Sequence, residues 1–209
     1  MYLKMKRLID IILSLIGLVV LSPILLILIL AIKMDSKGPV LFKQKRIGIN
    51  KTHFNILKFR TMRIDTPKDT PTHLLDNPDQ YITKMGKFLR KTSLDELPQI
   101  WNIFVGQMSI IGPRPALWNQ YDLIAERDVY GANDIPPGLT GWAQINGRDE
   151  LPIKVKSKLD GEYVEKISFS MDIKCFFGTI VSVVKRDGVV EGGTGRKKEV
   201  TSSKGSISR

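Results

Sequence analysis

IILSLIGLVVLSPILLILILAI, from Ile11 to Ile32, is a run of 22 residues without a charge. As one straight helix it would reach about 33 Å, enough to cross the hydrocarbon of a bilayer. It is apolar on every side, unlike a soluble helix with one buried face. It is long for the apolar part of a secretory signal, and no small-residue cleavage site follows it. Ser22 and Pro23 stand in its middle. Proline removes a backbone donor and collides with the carbonyl four residues back, so the helix should bend there. The Ser22 hydroxyl can satisfy a freed carbonyl, which matters where no water can. The stretch reads either as a kinked crossing helix or as one that enters, breaks at Ser22-Pro23 and leaves by the same face.

Lys4, Lys6 and Arg7 precede the stretch; Lys33, Lys37, Lys43, Lys45 and Arg46 follow it. Two basic flanks give a crossing helix no preferred orientation. Re-entry explains the symmetry, because both ends then stay cytoplasmic, whereas sequence physics alone puts a crossing slightly ahead. Net charge is +10 over residues 1–63, −3 over 64–184 and +4 over 185–209, for +11 in all. Positive charge beside an apolar anchor suits anionic headgroups and draws in anionic substrates. A nucleic-acid binder could share the total, but the chain has no aromatic–basic stripe and no reading motif. The one cysteine, Cys175, excludes an internal disulfide and fits a reducing cytosol. His53 and His73 stand alone, without a Cys-x-x-Cys or His-Glu-x-x-His metal pattern.

Beyond the anchor, Val40, Phe42, Phe54, Ile56 and Phe59 alternate with polar residues around Gly48-Ile49-Asn50, which predicts a β-hairpin. On spacing alone Lys58 and Arg60 belong to a solvated strand face. Residues 64–80 are rich in Pro, Asp, Thr and Asn and read as a loop. A helix is expected from Tyr81 to Leu89. Ser93 with Glu96 three residues on matches a capping box, which predicts a second helix from Ser93 to about Gly106, with free backbone donors at its start. Asp95 and Glu96 would then lie in a first turn, where acids ordinarily just complement the dipole. Their neighbours favour chemistry: Arg90 and Lys91 lie just upstream and Arg114 just downstream. Phosphate transfer needs fixed cations, a hard divalent ion and an oxygen nucleophile.

Residues 136–148, PPGLTGWAQINGR, read as a tightly turned loop that brings backbone amides near a ligand. Trp142 either stacks or packs there, and Arg148 is a further candidate for a phosphate. Two helices are expected over 159–186. The second groups Ile173, Phe176, Phe177, Ile180, Val181 and Val184 on one face, for the core or for a membrane interface. After Asp187 the composition is that of a disordered tail.

Taken in order, the basic start with its LSP break, GPVLFKQKRIG, KFRTM, TSLDELPQ, GPRP and PGLTGWAQINGR resemble the bacterial sugar transferases. These are the monotopic phosphoglycosyl transferases that begin capsule, exopolysaccharide and glycan assembly. The resemblance runs from about Lys4 to Gly188, and without further amino-terminal helices the chain is similar to the minimal form. It implies an α+β fold: a re-entrant membrane helix broken at Ser22-Pro23, a small hairpin, and a mostly helical catalytic domain with interfacial amphipathic helices. The implied divisions are an anchor over 1–36, a cytosolic and interfacial catalytic domain over 37–188, and a basic tail over 189–209.

The resemblance also implies an activity. Sugar 1-phosphate would pass from a UDP-sugar to undecaprenyl phosphate, releasing UMP, at the cytoplasmic face of the inner membrane. Asp95 and Glu96 match the catalytic dyad, with Asp95 as nucleophile. Mg2+ is the implied cofactor, held by Glu96 and Asp95, while Lys58, Arg90, Arg114 and Arg148 would share the phosphate charge. A homodimer on anionic lipid is compatible with this reading. A non-catalytic membrane adaptor of a polysaccharide assembly complex is the alternative, and it would tolerate loss of both acids.

Overall fold

In the computed structural model, which describes residues 2–66, 78–147 and 151–185, the apolar stretch is two helices. They are α1 (Tyr2–Val20) and α2 (Ser22–Asp35), bent by 60° at the break. No single helix among the described residues is long and apolar enough to cross a membrane; the bent pair together has the length and composition to do so. The cause of the break is chemical. Pro23 has no N–H to give the Val19 carbonyl, and the Ser22 hydroxyl donates to it instead, at 2.7 Å. Helical bonds continue around it, from Leu21 N–H to Gly17 O and from Leu25 N–H to Leu21 O. Lys6, Asp10 and Ser14, one turn apart, form a buried polar stripe on α1. Lys6 pairs with Asp172, and Asp10 accepts from the Ile110 N–H at 3.0 Å.

The hairpin forms as expected. β1 (Leu41–Ile47) pairs antiparallel with β2 (His53–Phe59), and Asn50 and Lys51 close the turn at positive φ. Phe42, Gln44 and Arg46 share one face with Lys58, Ile56 and Phe54. Phe54 and Ile56 are buried against Ile103 and Met108. The solvated strand face expected for Lys58 and Arg60 is not found. Arg60 is buried and donates to the Ser36 and Lys37 carbonyls at the end of α2, as a cation suits a helix C-terminus.

The next helix, α3 (Lys84–Thr92), starts three residues after the expected Tyr81. Thr83 is its cap, its hydroxyl accepting from the Gly86 N–H at 2.9 Å. The helix predicted from Ser93 requires correction. Ser93 adopts a left-handed conformation (φ 56°) that ends α3, and its side chain caps nothing. Residues Leu94–Glu96 form one 3-10 turn, and α4 is only Gln99–Phe104. Pro98 cannot donate to Leu94, so no α-helix runs through, and the Glu96 carboxylate is occupied elsewhere rather than reaching back to Ser93. The expected helix N-terminus beneath the acids is therefore absent.

The remaining elements are β3 (Ser109–Ile111), α5 (Tyr121–Asp128), β4 (Gly138–Thr140), α6 (Trp142–Ile145), α7 (Ile153–Glu165) and α8 (Phe169–Lys185). β3 and β4 pair in parallel, which the loop reading of 136–148 did not anticipate. Gly138 and Gly141 there serve close packing, since a Cβ on either would meet Gly112 main-chain atoms at 2.1 Å. A Cβ on Gly112 would meet the Pro136 carbonyl oxygen at 2.6 Å, and the Gly138 N–H is spent on the Pro113 carbonyl. Trp142 packs: its indole N–H donates to Glu162, and Lys174 lies over its ring at 4.6 Å.

Leu28, Ile32, Phe59 and Leu89 form a core that joins α2, β2 and α3, each side chain worth about 1.5–3 kcal/mol when fully buried. On α8, Met171 and Cys175 are buried with Tyr163 and Ile111. The stripe Ile173, Phe176, Phe177, Ile180 and Val181 faces outward instead, from 40% to 59% exposed.

Candidate active site

The 3-10 turn explains how two adjacent acids come to be displayed. In such a turn residues three apart eclipse. Leu94 and Leu97 both pack against the core of Leu28, Ile32, Phe59 and Leu89. The acids between them, Asp95 and Glu96, are left half-buried on the opposite side.

Three cations converge on this pair from three elements. Lys58 comes from the inner face of β2, and its Nζ lies 2.7 Å from Glu96 Oε1. Arg114 comes from the segment after β3 and grips the same carboxylate with both nitrogens, at 2.6 Å to Oε1 and 3.4 Å to Oε2. Arg90, on the last turn of α3, is steadied by the Thr61 hydroxyl at 2.9 Å and interacts electrostatically with Asp95. Burial lowers the Arg90 pKa, but a guanidinium stays charged at neutral pH.

The two carboxyls are driven apart. Burial alone would raise Glu96, but the charges and hydrogen bonds of Arg114 and Lys58 outweigh it and hold the group well below the usual carboxylate range. Burial raises Asp95 above its ordinary value, and the charge of Glu96 adds to this. Lys58, Arg90 and Arg114 oppose the rise only in part. Such a split assigns different roles to neighbouring acids. Glu96 is a fixed anion committed to two cations. Asp95 makes no hydrogen bond or ion pair among the described residues, so its oxygens are available.

Sequence reasoning thus selected Lys58, Arg90, Asp95, Glu96 and Arg114, and the fold brings all five together. Arg148, the tail and residues 67–77 of the expected loop lie outside the described residues. Ser22 and Pro23 sit at the helix bend. Thr61, which positions Arg90, was missed, because a threonine after a strand carries no signal of its own. Arg127 and Asp160 were also missed. They form a fully buried ion pair, with side chains 4% and 2% exposed, between α5 and α7. Their separation in sequence gave no cue.

Among the described residues no group of three or more His, Cys, Asp or Glu could by itself hold a metal. The donor set still suits magnesium. This ion takes one or two carboxylates and completes its shell with water and substrate phosphate oxygens. Asp95, with Glu96 beside it, would be the carboxylates to provide that share.

The family profile described as bacterial sugar transferase matches residues 1–186. An undecaprenyl-phosphate glucose phosphotransferase of Komagataeibacter xylinus is 40% identical over 187 residues, covering 84% of this chain and 35% of that protein. The uncharacterized sugar transferase EpsL of Bacillus subtilis is 38% identical over 186 residues, covering 88% of this chain and 90% of its own length. A UDP-glucose:undecaprenyl-phosphate glucose-1-phosphate transferase of Escherichia coli is 41% identical over 184 residues, covering 84% of this chain and 39% of that protein. The chain therefore spans little more than a third of two of these relatives and nearly all of the third.

Proposed function

The chain belongs to the bacterial sugar transferase family, and from that premise we propose that it transfers a sugar 1-phosphate from a UDP-sugar to undecaprenyl phosphate. One observation carries the reading. Of two adjacent carboxylates, one is tied to Lys58 and Arg114 while the other, Asp95, stands unbonded among three cations.

An Asp95 oxygen attacks the phosphorus that bears the sugar. The bond from that phosphorus to the bridging oxygen breaks, and the oxygen leaves with UMP. The product is a phosphosugar ester of Asp95. An oxygen of undecaprenyl phosphate then attacks the same phosphorus, releases the Asp95 carboxylate and forms the lipid diphosphosugar. A carboxylate is a competent nucleophile for such an intermediate. It must approach an anionic diphosphate, and Lys58, Arg90 and Arg114 offset that repulsion, as donors preorganised towards developing charge do. Glu96 keeps Lys58 and Arg114 in place. Magnesium bound by Asp95 and Glu96 would supply Lewis-acid shielding of the diphosphate.

The lipid acceptor requires a site at a membrane. Both arms of the bent α1–α2 pair dock on one body, through Lys6 with Asp172 and through Arg60 with Ser36 and Lys37, while Val19 and Val20 at the bend are 66% and 65% exposed. This supports a re-entrant anchor with both ends on the cytoplasmic face of the inner membrane. The outward stripe of α8 supports a helix lying in the interface. The relatives' names make UDP-glucose the first donor to try, and a further relative, of Rhizobium leguminosarum, is named an exopolysaccharide production protein, which supports a place in exopolysaccharide synthesis.

The test uses the full chain in lipid with UDP-glucose and no acceptor. UMP should appear in one burst equal to the enzyme present, with a sugar phosphate on Asp95. Asp95→Asn should fold, give no adduct and release no UMP. Release of UDP, or normal turnover by Asp95→Asn, would remove Asp95 as the nucleophile.

A further inference from the structure

Arg114 lies on a segment with no regular structure, Gly112–Ala116, in which Pro113 and Pro115 have no N–H to enter a sheet. Its carbonyls make up for this. Four in a row are taken by four donors: Pro113 O by the Gly138 N–H at 2.9 Å, Arg114 O by Arg127 Nη1 at 2.8 Å, Pro115 O by Arg46 Nη1 at 3.0 Å, and Ala116 O by the Ile47 N–H at 3.0 Å. Three donors come from strands or their edges. The fourth is a buried charge on α5, which is unusual, because a cation buried at 3% exposure is costly unless paired. The pairing comes from Asp160 on α7, whose Oδ2 meets Arg127 Nε at 2.8 Å and Nη2 at 2.6 Å.

We infer that Arg127, backed by Asp160, is a positioning residue that sets the Arg114 guanidinium against the carboxylate pair through the Arg114 main-chain carbonyl. The inference rests on the proposed role of Arg114 at the substrate phosphates. The physical reason is rigidity. A carbonyl accepting from a mobile surface group would let the segment shift, whereas the planar fork of Arg127 is held on two sides at once, by Asp160 and by the carbonyl it serves. The ion pair gives the fold little net stability, since burial opposes what attraction returns. Burial in fact raises the Asp160 carboxyl despite the adjacent Arg127. A costly pair that fixes a phosphate-facing arginine fits positioning better than plain packing.

That cost supplies the test. Replacing both members of a buried pair by apolar residues of similar volume is often neutral or stabilising. The double variant Arg127→Met/Asp160→Leu should therefore fold in the full chain, with a melting temperature near the parent's, yet lack the donor to Arg114 O. Its kcat for UMP release should fall roughly 10- to 100-fold, the scale of a positioning error of about an ångström. In an Arg114→Lys background the same double change should cost nothing more, because the residue it positions is already gone. A merely structural role would give an additive loss. Arg127→Lys, which keeps the charge against Asp160 and loses the fork, is read in the same cycle and holds the test open if the double variant does not fold. Parent-like kcat in a folded variant, or losses that add to those of Arg114→Lys, would overturn the inference. If Arg114→Lys by itself left turnover unchanged, the proposed site would fail first, and the two failures are distinguishable.

Discussion

A single methyl group at Gly86 tests whether the cations must be placed to within an ångström. Gly86 lies in the first turn of α3, against the chain leaving β2. A Cβ there would be 2.7 Å from the Thr61 carbonyl carbon, 2.9 Å from its Cα and closer still to its oxygen. These are main-chain atoms, and Thr61 is further held by the Thr83 N–H at 3.0 Å and by Arg90 Nε. Ordinary contact begins near 3.4 Å, so α3 must retreat by about 1 Å. Arg90 is four residues further along the same helix face and moves with it. Overpacking of this kind costs about 1–3 kcal/mol in stability, which a folded domain can survive. Misplacing a charged group by about 1 Å at the reacting centre costs on the order of 100-fold in rate. Gly86→Ala should therefore fold and lose about two decades of kcat. The assay is UMP release at saturating UDP-glucose and undecaprenyl phosphate. Gly17→Ala is the control: its Cβ would meet only the Ile100 side chain, at 3.7 Å, and turnover should not change. Parent-like turnover by folded Gly86→Ala would refute the claim that α3 fixes Arg90 for catalysis.

Lys58 is the cation that most opposes the raised pKa of Asp95, so Lys58→Met should move the acid limb of the kcat/KM profile to higher pH; an unmoved limb would separate Lys58 from Asp95. The sign for stability is opposite at Glu96. Its lowered carboxyl contributes stability that is full above its ordinary 4.5 and lost as pH falls through the folded value, and Lys58→Met should flatten that acid-side loss in melting experiments. Cysteines at Leu3 and Lys37 should label from the same side of sealed vesicles, with fully buried Cys175 silent; labelling from opposite sides would make the bent pair a crossing. Leu89→Ala should cost about 2–5 kcal/mol of unfolding free energy, because Leu89 has no exposed surface and closes the core shared by α2 and the acidic turn. A cost below about 1 kcal/mol would mean that this core does not carry the turn.

Much of this site was legible because its residues cluster in short motifs. Asp95 and Glu96 are adjacent, and Arg90 and Arg114 flank them closely in sequence. The bend at Ser22-Pro23 was legible because proline chemistry is local. The failures have local causes too. Ser93 and Glu96 have capping-box spacing, but capping competes with tertiary partners, and Lys58 and Arg114 take the carboxylate that would have capped. The pairing of β3 with β4 was hidden because three-residue strands carry no periodicity, and their glycines resemble a turn. Arg60 looked solvated because strand alternation says nothing about the end of α2, which it caps from 24 residues away. Long-range polar pairs such as Arg127 with Asp160 leave no trace in spacing at all.

The placement of these groups joins the α1–α2 pair to the proposed site. Leu28 and Ile32 of α2 share a core with Leu94 and Leu97, the two residues that bracket the acids. The height of Asp95 relative to α2 is therefore set by side-chain packing, which yields only by fractions of an ångström. The other arm holds the helix that follows the acids: Arg7 of α1 donates to the Ile103 and Phe104 carbonyls at 2.6 and 2.7 Å, closing the C-terminal end of α4. If the bent α1–α2 pair sits in lipid, its depth of insertion and the depth of Asp95, the proposed nucleophile, are one variable. An acceptor whose phosphate rides at the headgroup level then meets Asp95 without searching in the third dimension. A soluble fragment starting after Asp35 would lose both contacts. It would expose Phe59 and Leu89 and release the turn, so its failure to turn over a water-soluble short-chain acceptor would follow from lost geometry rather than from lost access to lipid.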